Sequence, residues 1–86
     1  MYYVYLLRSK QNGKIYTGYT GNLKERLRKH KNDQVHTTAR MGNIELIYYE
    51  AYKDKRDAIQ REKYFKTTKG KRTVRIMLKY SLAPIV

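Results

Sequence analysis

The run Tyr2-Tyr3-Val4-Tyr5-Leu6-Leu7 has the β-branched and aromatic character of a buried strand, and it leads into Asn12-Gly13. Both residues of that dipeptide tolerate positive φ, which makes it the strongest short-range hairpin signal. A second run, Lys14-Ile15-Tyr16-Thr17-Gly18-Tyr19, follows at once. The start of the chain is therefore committed to an antiparallel hairpin, and everything after it must cover that hairpin. Strands joined by an even-length loop pair residues whose numbers sum to an odd constant, so Tyr5 and Tyr16 share one face. A two-residue Asn-Gly loop would hold them about 13 Å apart along the strands. A four-residue loop, Ser9 to Asn12, would set them directly opposite. Of these two registers only the second makes them chemical neighbours; otherwise they are two core or surface tyrosines.

Thr20-Gly21-Asn22 breaks the second strand. Asn22 with Glu25 three residues on has the pattern of an N-cap with its reciprocal acid, opening a helix over about 23 to 31 with Leu23 and Leu27 inward. Residues 32 to 42 are polar and read as a loop. A third strand, Asn43 to Tyr52, alternates Ile44, Leu46 and Tyr48 with Glu45, Ile47 and Tyr49. Asp54 caps a helix of about 55 to 66. Gly70 interrupts the pattern, and a third helix of about 71 to 80 carries Val74, Met77 and Leu78 on one face, with Pro84 forbidding a long extension. The order ββαβαα predicts an α/β (α+β) single domain, a small three-stranded antiparallel sheet flanked by three helices. Residues 1–80 form the domain and 81–86 a tail.

The 86 residues carry 20 Lys and Arg against 7 acids, a net charge of +13. Such imbalance strains a compact state by self-repulsion and points to a polyanionic partner. The absence of Cys excludes a disulfide framework and any thiolate metal site, and two histidines are too few for a zinc finger. No apolar run approaches the roughly 20 residues of a membrane span, and no signal-peptide pattern opens the chain. A monomeric cytoplasmic or nucleoid-associated domain is expected. From Lys53 to Lys79 there are 11 Lys/Arg and 3 acids. A solvated helical surface explains solubility but not so one-sided a sign, so a phosphate-binding face is the better reading.

Arg26 and His30 are i, i+4 neighbours off the Leu23/Leu27 stripe. They suit a phosphate grip with a proton carrier beside it, or an ordinary solvated basic face with Lys24, Arg28 and Lys31. Glu62 is the sharper anomaly: with Ala58, Ile59 and Phe65 it occupies the apolar stripe of its helix. A carboxylate there needs a cation, either a buried Arg or a metal. His36, Thr37 and Thr38 have no nearby acid and read as a plain loop.

The spacing of Tyr3-Val4-Tyr5, Tyr16-Thr17-Gly18, Arg26, His30 and Glu62 resembles the GIY-YIG endonuclease family, above all its small stand-alone bacterial members, over nearly the whole chain. The first motif departs from Gly-Ile-Tyr at two positions and the second from Tyr-Ile-Gly at one. The resemblance implies that Tyr5, Tyr16, Arg26, His30 and Glu62 are catalytic. Glu62 would hold Mg²⁺ or Mn²⁺, and Gly18 would allow close approach of backbone and substrate. Tyr16 would orient or deprotonate the water, tuned by Tyr5 and His30, while Arg26 neutralises developing charge. Many active members carry an Asn after the metal acid. No Asn follows Asn43 here, which leaves Lys69, Lys71 or Arg72 for that duty. The expected activity is metal-dependent hydrolysis of DNA, branched or flapped, with low sequence specificity and a repair or recombination role. Lys14, Lys63, Lys66, Lys69, Lys71 and Arg72 are the expected nucleic-acid contacts. Two other readings compete: a basic DNA- or RNA-binding module without catalysis, and a nuclease subunit targeted by a protein partner.

Overall fold

The computed structural model describes residues 1–32 and 43–83; His36, Thr37, Thr38 and Pro84 lie outside them. Strands β1 (Tyr2–Ser9) and β2 (Ile15–Thr20) are followed by helix α1 (Leu23–Lys31), strand β3 (Ile44–Tyr52), and helices α2 (Lys55–Phe65) and α3 (Thr68–Met77). The sheet is antiparallel with order β2-β1-β3, so β2 and β3 are edges and β1 is central. Among the described residues this is the ββαβαα arrangement that the sequence predicts.

The hairpin takes neither of the two registers considered above. Tyr5 pairs with Gly18 and Leu7 with Tyr16. Ser9 receives the amide of Gly13 and donates its own to Lys14, which closes a four-residue loop of Lys10 to Gly13 with Gly13 at φ 74°. The Ser9 hydroxyl accepts the amides of Gln11 and Asn12, so the loop is fixed from inside and slides one residue beyond the Ser9–Asn12 placement. Tyr5 and Tyr16 become diagonal neighbours, and diagonal pairs are within reach of aromatic side chains. They need not be directly opposite to meet.

Alternation along β1 then assigns the two faces of the sheet. Val4 and Leu6 join Ala58, Phe65, Val74 and Leu78 in the hydrophobic core, so this face is covered by α2 and the α3 segment. Tyr3, Tyr5 and Leu7 point the other way, toward α1. Strand β3 does not alternate as expected: a bulge between its pairings with Leu6 and Leu7 lets Ile47 and Tyr48 both pack on the core, while Leu46 pairs with Leu7.

The capping asparagine behaves as predicted, accepting the Glu25 amide at 3.1 Å, but Glu25 is not its reciprocal partner. Its carboxylate goes to Arg28 at 2.7 Å. Leu23 and Leu27 are only partly buried; the buried residue of α1 is His30. The acid most firmly enclosed by cations and hydroxyls is Glu50 rather than Glu62. Arg61 grips both its oxygens at 2.9 and 3.1 Å, and the hydroxyls of Tyr48 and Tyr52 donate to it. Burial opposes the charge on Glu50, but these donors outweigh it and hold the carboxyl below the usual range. Arg61 in turn stacks over Phe65 at 4.3 Å, tying β3 to α2.

The third helix starts earlier than predicted, at Thr68, with Thr67 as its N-cap. Gly70 does not interrupt it but lies buried in its first turn. Its C-terminal boundary is Met77; Leu78 and Val74 reach the core, whereas Met77 is largely exposed.

Candidate active site

Four of the five residues proposed from the sequence meet on the α1 face of the sheet. Tyr5 comes from the central strand and is fully buried. Its position depends on Gly18 directly across the ladder, where a Cβ would fall 2.3 Å from the Tyr5 hydroxyl. The ring therefore lies across the glycine, a close approach that no larger residue permits. Tyr16, half-buried on the edge strand, has its ring centroid 6.3 Å from that of Tyr5. Helix α1 crosses this face and turns Arg26 and His30 toward the tyrosines, so of the two readings open for this pair the ordinary solvated basic face does not hold. His30 is 2% exposed and edge-on to both rings, at 5.6 Å from Tyr5 and 5.2 Å from Tyr16.

The hydrogen bonds give these groups an order. The Arg26 Nε–H donates to the Tyr5 oxygen at 3.3 Å, and the Tyr5 hydroxyl lies 2.8 Å from His30 Nε2. With its oxygen accepting from Arg26, the Tyr5 hydroxyl is placed to donate its own proton to His30. Burial pushes the Tyr5 hydroxyl up to about 12, although the bond from Arg26 works against that rise. Tyr5 is thus a neutral donor at physiological pH, not a base. Burial, with repulsion from Arg26, pushes His30 down to about 4, so it is the neutral acceptor this bond requires. The bond to Tyr5 and the presence of Tyr16 hold the Arg26 guanidinium firmly charged. The result is one fixed cation beside two phenol oxygens.

A pH dependence follows from His30. Its folded pKa lies below its unfolded value of 6.5, so between about 4 and 6.5 the unfolded chain binds the proton and the folded chain does not. The associated stability is present above 6.5 and lost as pH falls toward 4, on the order of 3 kcal/mol. Chemical denaturation of wild type and His30→Gln from pH 7 to pH 4 should show the steeper loss in wild type. Parallel curves would contradict a buried neutral His30.

Glu62 is not hydrogen-bonded to this cluster. It sits on the α2 stripe with Ala58 and Phe65, on the helix that packs against β1 and β2, and its Oε2 pairs with Lys66 at 3.3 Å. The side chain is 21% exposed. Among the described residues there is no group of three or more His, Asp or Glu able to hold a metal by themselves. One partly exposed carboxylate still suits Mg²⁺, which retains waters and is commonly shared between one or two carboxylates and a substrate phosphate. Of the cations expected to meet nucleic acid, Lys66 is engaged with Glu62, and Lys63, Lys69 and Arg72 are exposed. Lys14 and Lys71 line a groove on the opposite face of the hairpin.

Comparison with known proteins bears on the family of the chain. The profile of the GIY-YIG catalytic domain matches residues 1–75. The chain is 40% identical over 67 residues to a UPF0213 protein of Clostridium perfringens, covering 77% of this chain and 71% of that one. A UPF0213 protein of Bacillus licheniformis is 40% identical over 67 residues, covering 76% and 67%. A UPF0213 protein of Staphylococcus saprophyticus is 29% identical over 77 residues, covering 88% and 93%. No solved structure matches.

Proposed function

This chain belongs to the GIY-YIG family of nuclease domains, and from that premise we propose that it is a metal-dependent endonuclease that hydrolyses DNA phosphodiester bonds. The reading extends to a preference for branched or flapped DNA over a particular sequence, and to a role in repair or recombination. The observation that carries it is the convergence of Tyr5, Tyr16, Arg26 and His30 from two strands and a helix into one hydrogen-bonded group.

Hydrolysis adds a water oxygen to phosphorus and breaks one P–O ester bond. The water must lose a proton, the phosphate must carry added charge, and the leaving oxygen must gain a proton. Tyr16 is the phenol with access to solvent, so its oxygen orients the water. Tyr5 has both sides of its hydroxyl engaged and acts by holding Arg26 and His30 in place. Arg26 keeps its terminal N–H groups for Tyr16 and for a phosphate oxygen, where charge develops. Members of this family generally use divalent metal ions, and Glu62 is the carboxylate that would hold one, supplying Lewis-acid stabilisation of the phosphate. The Glu62 Oε1 has no partner among the described residues, and Lys66 on Oε2 would yield to the stronger cation. The missing Asn after Glu62 favours a second reading, a domain that grips DNA without cutting it.

A nicking assay separates the two. Purified protein with Mg²⁺ or Mn²⁺ should nick flap or junction DNA; chelator and Glu62→Ala should abolish this, and Tyr16→Phe should slow it at least about 100-fold. Equal trace cleavage by all three proteins would assign the activity to a contaminant and leave the binding module.

A further inference from the structure

The tyrosine face is not the only built surface of the hairpin. On the other face, a groove of about 680 Å³ runs between the hairpin and α3. Five cations from separate parts of the chain line it: Arg8 of β1, Lys14 at the loop, Lys71 and Arg75 of α3, and Lys79 just beyond it. No acid is among its lining residues. Phe65, Val74 and Leu82 give it an apolar floor. Lys14, Lys71, Arg75 and Lys79 are exposed, as a solvated surface would have them, but Arg8 is not an ordinary surface arginine. Its terminal nitrogens donate to the carbonyls of Ser81 and Ala83, and its Nε is buried with no hydrogen-bond partner among the described residues. A buried guanidinium N–H without an acceptor costs free energy, commonly about 1–3 kcal/mol, unless a ligand meets it. Five like charges drawn together add a repulsion that a bound anion relieves.

We propose that this groove is a second phosphate site, one that holds the backbone of a DNA arm other than the arm being cut. The proposal rests on the nuclease reading above and goes beyond it by placing the uncut arm. The volume suits a stretch of sugar-phosphate rather than one free ion. Arg8, Ile15 and Thr17 lie on the sheet face opposite Tyr5 and Tyr16, and β2 is an edge strand among the described residues. A straight duplex cannot lie against both faces of a sheet. DNA that branches or bends sharply at the β2 edge can, with one arm on the tyrosines and the other in the groove. Preference for branched DNA is then a property of the fold, without base contacts.

The test reads binding and does not need cleavage. Fluorescence anisotropy would compare wild type with the Arg75→Glu/Lys79→Glu double variant on flap DNA and on linear duplex of equal length. Both sites are exposed, and thermal melting checks that the variant folds. The expected result is at least a tenfold loss of affinity for the flap, a salt slope shallower by about two, and a clearly smaller loss on linear duplex. Unchanged flap affinity, or equal losses on both substrates, would overturn the proposal. So would tighter binding of duplex RNA than of flap DNA. Wild type that binds flap DNA through these residues but never nicks it would sink the nuclease reading and leave the groove standing.

Discussion

Arg26→Ala is expected to nick DNA about 10³-fold more slowly than wild type, with the loss in kcat rather than KM. Among the described residues the half-buried Arg26 is the charged side chain hydrogen-bonded to the tyrosine cluster, through its Nε to the Tyr5 oxygen at 3.3 Å. Its removal takes away the donor that fixes Tyr5 and, on the proposed mechanism, the charge that meets the phosphate. Without that bond the lowering influence of Arg26 on the Tyr5 hydroxyl is lost, while burial and Tyr16 still raise it. Arg26→Lys should recover only a minor part, because a point charge on a flexible stem cannot serve a phenol and a phosphate at once as the planar fork does. Arg28 supplies the control. It lies two residues away on the same helix, but its side chain is 52% exposed and paired with Glu25, so Arg28→Ala should stay within about twofold of wild type. Single-turnover cleavage of flap DNA by the three variants decides the point. Full rescue by Lys, or a loss confined to KM, would remove Arg26 from the chemistry.

Arg26, His30 and the tyrosines were legible in the sequence as a spacing, but their meeting depended on a register the sequence leaves open. Asn12-Gly13 advertises a two-residue turn, and Gly13 does take the positive φ; the Ser9 hydroxyl, gathering the amides of Gln11 and Asn12, is what widens the loop to four residues. The helix wheel misplaced α1 for a related reason. Leu23 and Leu27 suggest the inward side on hydropathy alone, yet the sheet face beneath α1 presents the buried Tyr5 hydroxyl, which recruits His30 and Arg26 as its hydrogen-bond partners.

Charge was read correctly in sign and incompletely in place. The run from Lys53 to Lys79 is basic, but two of the five cations in the groove, Arg8 and Lys14, come from far outside that run, and the hairpin brings them beside Lys71, Arg75 and Lys79. The acids show the same limit. Glu62 stands out on an apolar stripe, whereas Glu50 hides between Tyr49 and Ala51 as one more residue of an edge strand. It becomes the most enclosed acid only because β1 pairing turns it toward α2 and Arg61.

Gly70 was the least legible residue, since a glycine before a basic stretch reads as a helix breaker, and its replacement should have the largest effect on folding. In an ordinary helix, Gly→Ala stabilises by about 1 kcal/mol. Here α3 turns back on the end of α2 so tightly that an added Cβ would lie 1.8 Å from the Tyr64 carbonyl oxygen and 2.8 Å from the Phe65 Cα. Those atoms are backbone, and they are pinned: the Tyr64 carbonyl accepts the Thr67 amide at 3.0 Å and the Thr67 hydroxyl at 2.6 Å. That same hydroxyl oxygen accepts the Gly70 amide at 2.9 Å as the N-cap of α3. A methyl group can enter only if the two helices separate, which pulls Val74 and Leu78 from Phe65 and the core. Clash therefore outweighs propensity, and Gly70→Ala should lose about 3 kcal/mol or more, a large share of the stability of so small a domain. At about 4–8 °C per kcal/mol this lowers the Tm by more than about 12 °C. Lys69→Ala, exposed in the same turn, should melt within a few degrees of wild type. A Gly70→Ala protein that melts with or above wild type would show that α2 and α3 are not held by this backbone contact.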